Sequence, residues 1–242
     1  MAITYLIQGA PGEDNSLHVR IDSGQAVERL LFDAGEGCVG GLSRSEIQSI
    51  AHLFFSHLHM DHVAGFDSFF RATYNRTERP NTVWGPAGSG EILQCRFRGF
   101  LWNLHQGAEG CWRVREVFPN RIETWRFELG EAFAIRYREP DETRQGELIL
   151  DAADYTVAAF QMEHLTPCLA YVVREKPRLH LRAEGLPELG LSPGSWIRQL
   201  KAAGEETRTL SIDGREFDAH ELRRQLLTET SGDSIVYLTD FL

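Results

Sequence analysis

Ser56-His57-Leu58-His59-Met60-Asp61-His62 follows directly on the apolar run Leu53-Phe54-Phe55, so that four metal-capable side chains fall within the six residues 57–62. In extended or tightly turning backbone, residues two apart point the same way. His57 and His59 are therefore expected to face one ion, while Asp61 and His62 turn toward a second. A zinc-protease helix would instead set two histidines four apart around a glutamate, and that pattern is absent. A lone histidine beside a strand is ordinarily a hydrogen-bonded, half-buried residue, and an aspartate after a strand often caps the next helix. Three histidines and an aspartate at this density crowd ionisable groups at a cost that a shared cation relieves. The stretch reads as a catalytic metal pair.

Working outward, the chain alternates strand and helix signals. Residues 3–8 and 17–21 read as paired strands across a turn-rich segment, and residues 30–32 as a third strand ending at Asp33-Ala34-Gly35-Glu36-Gly37. Ser43-Arg44-Ser45-Glu46 is a capping box opening a short helix through Ile50. The strand before the metal loop and a helix over residues 63–72 after it put the candidate ligands at a strand end, where side chains converge above a sheet. Further strands are expected at 82–84, 125–129, 132–137, 155–162, 168–173, 207–212 and 234–238. Helices are expected over 91–101 and 218–227.

The 242 residues suffice for one sizeable domain, and no linker, repeat or low-complexity tract divides residues 1–242. With 25 basic and 35 acidic residues the formal charge is −10, which disfavours attachment of the whole surface to nucleic acid. Nearly all the cations are Arg, the lysines being Lys176 and Lys201; bidentate phosphate contact and coding bias explain that skew equally well. Cys38, Cys95, Cys111 and Cys168 form no Cys-x-x-Cys pair and read as reduced thiols of a cytoplasmic protein. The N-terminus reads as a strand and not a signal peptide, and no stretch approaches bilayer-spanning length. Residues 94–126 interleave Arg96, Arg98, Arg113, Arg115, Arg121 and Arg126 with six aromatics. That mixture suits either a nucleic-acid surface or core aromatics beneath a charged face, and the negative charge favours the second. His18, His52, His105, His180 and His220 lack a comparable context and read as structural or surface residues.

The His-x-His-x-Asp-His pattern resembles the metallo-β-lactamase superfamily. With Asp33-Ala34-Gly35-Glu36-Gly37 upstream, it is most similar to the ribonuclease Z-like branch, the tRNA 3′-processing endonucleases. The resemblance implies a four-layer αββα sandwich with the site where strand ends meet. It implies further ligands: His164, just before the strand at 168–173, completes a first metal site with His57 and His59, and Asp240, after the strand at 234–238, bridges to a second site with Asp61 and His62. Two zinc ions are implied, with manganese or iron as alternatives. In the family pattern more strands, a last histidine ligand and a downstream histidine with an acidic partner follow such an aspartate. None has a counterpart after Asp240, so the domain reads as lacking the family's C-terminal part, with one ion held firmly and a second weakly. Exposed sheet surface and self-association, as a homodimer, are expected to follow.

The mechanism implied by the resemblance is in-line attack on phosphorus by a hydroxide held between two ions, with Asp61 orienting it and serving as proton acceptor. An RNA or small phosphodiester substrate follows. The region 175–204, where some members extend an RNA-holding arm, is short and carries few basic residues. Two alternatives stand beside this reading: a metallohydrolase of the same fold acting on an ester, lactone, thioester, sulfate or cyclic nucleotide, and an inactive, truncated binding module.

Overall fold

The computed structural model describes residues 2–105, 107–202 and 206–240. They form two compact units, one of Met1–Arg174 with Asp233–Leu242 and the other of Glu175–Gly232. The first begins with β1 (Ala2–Gly9), β2 (Asn15–Asp22) and β3 (Val27–Phe32), followed by α1 (Arg44–Ser49) and β4 (Ile50–Phe54). Then come α2 (Met60–Val63), α3 (Phe66–Thr73), β5 (Asn81–Gly85), α4 (Ser89–Phe97), β6 (Cys111–Val117) and β7 (Arg121–Glu128). Two short strands, β8 (Tyr137–Arg138) and β9 (Glu142–Thr143), pair with β7 and complete a nine-stranded sheet. A second sheet holds β10 (Leu148–Asp151), β11 (Tyr155–Met162) and β12 (Cys168–Glu175).

In the second unit β13 (Arg178–Leu181) pairs with β16 (Leu227–Thr230), and β14 (Thr209–Ile212) pairs with β15 (Arg215–Asp218). Helices α5 (Trp196–Ala202) and α6 (Ala219–Leu226) contribute Leu200, Leu222 and Leu226 to its own core. The chain then returns as β17 (Ser234–Tyr237), antiparallel to β12 in the second sheet.

Strand order explains the layering of the first unit. β3, β4, β5 and β6 are parallel and adjacent in chain order. Right-handed crossovers that advance in one direction put every connecting helix on one face, leaving the other free for a second sheet. Side-chain alternation follows: Leu31, Leu53, Phe55 and Val83 pack under the helices with Phe66, Phe69, Phe70 and Leu93. Leu30, Phe32, Phe54 and Trp84 face Val157, Leu169, Tyr171 and Tyr237 of the four-stranded sheet. Phe32 and Phe54 stack at 4.8 Å, and the Tyr171 hydroxyl donates to the Phe55 carbonyl at 2.7 Å, tying the second sheet to the end of β4. The sheet sandwich of the metallo-β-lactamase fold is thus in place, with α1, α3 and α4 on its larger sheet.

Local departures from expectation have local causes. The helix expected over 63–72 is broken between α2 and α3 at Gly65. A Cβ there would lie 2.1 Å from the Gly35 carbonyl oxygen, so the metal loop and the Asp33-Ala34-Gly35 turn pack backbone on backbone. Two hydrogen bonds seal that contact, Gly65 N to Ala34 O and Ala34 N to His62 O, each 2.8 Å. The strand expected over 132–137 is mostly absent: Leu129–Glu131 form a 3-10 turn, and Ala132 and Phe133 take left-handed backbone, with φ of 53° and 55°. That reversal delivers Phe133 into the aromatic core beside Phe70, Phe97 and Trp102. The helix expected over 91–101 is instead Ser89–Phe97, and residues 111–117, not anticipated as regular structure, form the central strand β6.

In the Arg- and Trp-rich segment Phe97 and Trp112 are buried, whereas Phe100 is 46% and Leu101 91% exposed. On the outer side Arg113 pairs with Glu139, Arg115 with Glu142, Arg121 with Glu123 and Arg126 with Glu128. These guanidiniums are already matched by carboxylates, within β7 for Arg121 and Arg126 and from the segment after it for Arg113 and Arg115.

Candidate metal centre

β4 stops hydrogen bonding as a strand at Phe55, whose N–H reaches the Trp84 carbonyl at 2.8 Å, and the chain beyond it is free to turn. His59 keeps extended backbone as the residue before α2 (φ −68°, ψ 159°), so His57 and His59 stay on one side. His57 Nε2 and His59 Nδ1 are 3.0 Å apart. The β11–β12 turn brings in His164, its ring 4.9 Å from that of His57 and 5.2 Å from that of His59. The Leu169 N–H, bonded to the Ser56 carbonyl at 2.8 Å, pins that turn to the loop. His57, His59 and His164 offer ligand atoms within 4.8 Å of one another.

A second group shares His57 and adds His62 and Asp240, again within 4.8 Å. Asp240 Oδ2 is 2.7 Å from His62 Nε2 and 3.7 Å from His57 Nε2. Asp240 has left-handed backbone (φ 46°), so the chain after β17 turns its carboxylate into the cluster under strain. Asp61 belongs to neither close group: its Oδ2 lies 3.3 Å from His62 Nε2, and its side chain is 56% exposed. All six residues expected at the site converge on it, five in two overlapping groups and Asp61 on the solvent side.

The sequence reading passed over Asp33 as a site residue, although its position after an apolar strand and before glycines was the available signal. Asp33 is fully buried, with φ of 54°. Its Oδ1 accepts from the Ser56 N–H at 2.7 Å, and its Oδ2 from the Ser56 hydroxyl at 2.6 Å and the Tyr237 hydroxyl at 2.8 Å. The same Oδ2 lies 2.7 Å from His62 Nδ1, and Ser56 Oγ lies 3.1 Å from His57 Nδ1. One carboxylate therefore orients a ring in each group, directly for His62 and through Ser56 for His57, as outer partners of metal-binding imidazoles do.

Electrostatics divide the rings. Burial, followed by the charge of His62, lowers His57 to about 4, which keeps its lone pair available at neutral pH. Burial acts the same way on His62, but hydrogen bonding and charge from Asp33, with Asp240 and Asp61, override it and raise the ring to about 9. Asp240 is lowered: the hydrogen bond and charge of His62 outweigh its burial.

Both ring nitrogens of His164 are buried without a hydrogen-bond partner, although the ring sits against His57 and His59. A buried imidazole nitrogen without a partner costs on the order of 1–3 kcal/mol, and coordination through one nitrogen removes the cost at that nitrogen. Three imidazoles with a nearby carboxylate are a zinc-type donor set. The residues fit a metal.

Residues 28–178 match the family model described as Beta-lactamase superfamily domain. The chain is 45% identical over 240 residues to the ribonuclease Z of Deinococcus radiodurans, covering 99% of this chain and 71% of that protein. It is 29% identical to human zinc phosphodiesterase ELAC protein 1, covering 72% of this chain and 52% of that one. Among solved structures, the short form of human tRNase Z aligns with a TM-score of 0.43 and 20% identity, over 73% of this chain and 64% of that one. The chain belongs to the beta-lactamase superfamily and, within it, to the ribonuclease Z family of metal-dependent tRNA-processing hydrolases. It spans about half the length of the human relative.

Proposed function

We propose that this chain is a zinc-dependent phosphodiesterase that cleaves the 3′ trailer of tRNA precursors, with His57, His59, His62, His164 and Asp240 as ligands and Asp61 at the reacting water. The observation that carries the reading is the pair of unpartnered, buried His164 nitrogens held against His57 and His59. A divalent ion bound there supplies Lewis acidity toward phosphate oxygens and makes hydroxide available near neutral pH. The protein's part is placement. Burial keeps His57 neutral, Asp33 accepts from Nδ1 of His62 so that Nε2 faces Asp240, and the exposed carboxylate of Asp61, 3.3 Å from His62 Nε2, would accept a proton from water held at the site.

Metal analysis of the purified chain is expected to give one firmly held zinc and a second lost on dilution, with His164→Ala losing the first. Two tightly held ions per chain, or a His164→Ala variant that retains its zinc, would contradict the ligand assignment. Zinc-supplemented chain is expected to cleave a 3′-extended tRNA, and His59→Ala is expected to abolish cleavage. Rapid turnover of a lactone with the tRNA untouched would replace the nuclease reading by that of a small-molecule hydrolase. We read the chain further as one hydrolase domain carrying residues 175–232 as an excursion, located in the cytoplasm with free cysteines, and dimeric. Exposed Tyr5, Leu6 and Ile7 on the edge strand β1 support self-association, which a monomer mass in light scattering would exclude. No helix among the described residues is long and apolar enough to cross a membrane.

A further inference from the structure

Two large apolar side chains stand in solvent immediately beside the metal ligands. Met60, between His59 and Asp61, is 79% exposed, and Leu165, next to His164, is 90% exposed. Each is the chain neighbour of a ring in the first ligand group, and those rings lie 5.2 Å apart. The cost of leaving them in water is not offset by the core, because neither belongs to one. Around them stand the carboxylates of Asp61 and Asp240, 56% and 45% exposed, whose charge a bound cation would offset, and Glu163, exposed beside His164. The outer-face arginines of β6 and β7 are matched by glutamates. The formal charge of −10 disfavours nonspecific attachment of the whole surface to a phosphate backbone.

We propose that Met60 and Leu165 form an apolar clamp that packs on the base and ribose flanking the scissile phosphate, supplying local affinity by surface burial. The proposal rests on the nuclease reading above. Apolar contact with a base face is sequence-tolerant, because every base presents such a face. A thioether and an isobutyl group also adapt to different ring sizes. Because such contacts exist equally before and during phosphoryl transfer, they act on KM and leave kcat alone.

The test compares full-length wild type, Met60→Ser, Leu165→Ser and the double variant on a 3′-extended tRNA, at several salt concentrations. Zinc content and thermal unfolding serve as controls. Each single variant is expected to raise KM about tenfold, and the double variant more, with kcat and zinc content unchanged. The ratio of variant to wild-type KM is expected to stay constant as salt rises, since no phosphate contact is lost. Met60→Leu and Leu165→Met are expected to restore wild-type KM. If wild type cleaves the tRNA and the serine variants show unchanged KM, or a fall in kcat with KM unchanged, the clamp is overturned and the nuclease reading stands. If wild type neither binds nor cleaves the tRNA, the nuclease reading falls and the clamp falls with it.

Discussion

At the scale of the residue, burial decides which histidine does what. His52 lies in the middle of the strand that delivers the metal loop, where the Trp84 indole N–H donates to its Nδ1 at 3.2 Å. Burial, with the charges of Arg79, Arg115 and Arg76, lowers this ring to about 4 from an ordinary 6.5. Between those values the unfolded chain binds a proton that the folded chain refuses. The stability contributed here is therefore complete above 6.5 and is lost as the pH falls toward 4. Urea unfolding followed across that window is expected to show the loss, up to about 3 kcal/mol, and His52→Gln is expected to flatten it. An unaltered pH profile in the variant would locate the acid sensitivity elsewhere. The same scale shows what sequence reading reaches. His57, His59, Asp61 and His62 were legible because four metal-capable residues fall together, and His164 and Asp240 through family resemblance. Asp33 and Tyr237 were not, because a role exercised through hydrogen bonds to other ligands leaves no spacing pattern.

At the scale of the element, chain segments that carry their own punctuation were legible. Ser43-x-x-Glu46 forms the reciprocal cap expected of it, with the Glu46 carboxylate accepting from the Ser43 N–H at 2.9 Å. Asp213-Gly214 makes the hairpin turn between β14 and β15, both residues at positive φ (52° and 78°). α6 starts at Asp218, whose side chain accepts from the Glu221 N–H at 2.9 Å. Asp218→Ala is therefore expected to cost about 1 kcal/mol, read as a lowered thermal midpoint, with zinc content unchanged. A midpoint equal to that of wild type would mean that the cap contributes nothing. Elements whose form depends on distant packing were misread. Residues 132–137 alternate as a strand should, yet the aromatic cluster around Phe70 and Phe97 draws Phe133 inward and forces the backbone to reverse. β6 was missed because it is flanked on both sides by other strands and its alternating Arg and apolar residues resemble a generic charged surface.

At the scale of the molecule, every candidate ligand lies in the unit made of Met1–Arg174 and Asp233–Leu242, while Glu175–Gly232 builds its own core from Leu200, Leu210, Leu222 and Leu226. The chain leaves and re-enters the second sheet at paired positions, Arg174 opposite Ser234 on antiparallel strands. Replacing residues 175–232 by a short turn is therefore expected to preserve folding of the remainder and its firmly held zinc. A shortened chain that is folded but devoid of zinc would show that the excursion supports the metal. Because closing a loop grows costlier only with the logarithm of its length, about 0.6 kcal/mol per doubling, the sheet is nearly indifferent to what hangs from that doorway. The excursion can therefore be lengthened, recharged or exchanged in sequence without a change in the strands that carry the candidate ligands.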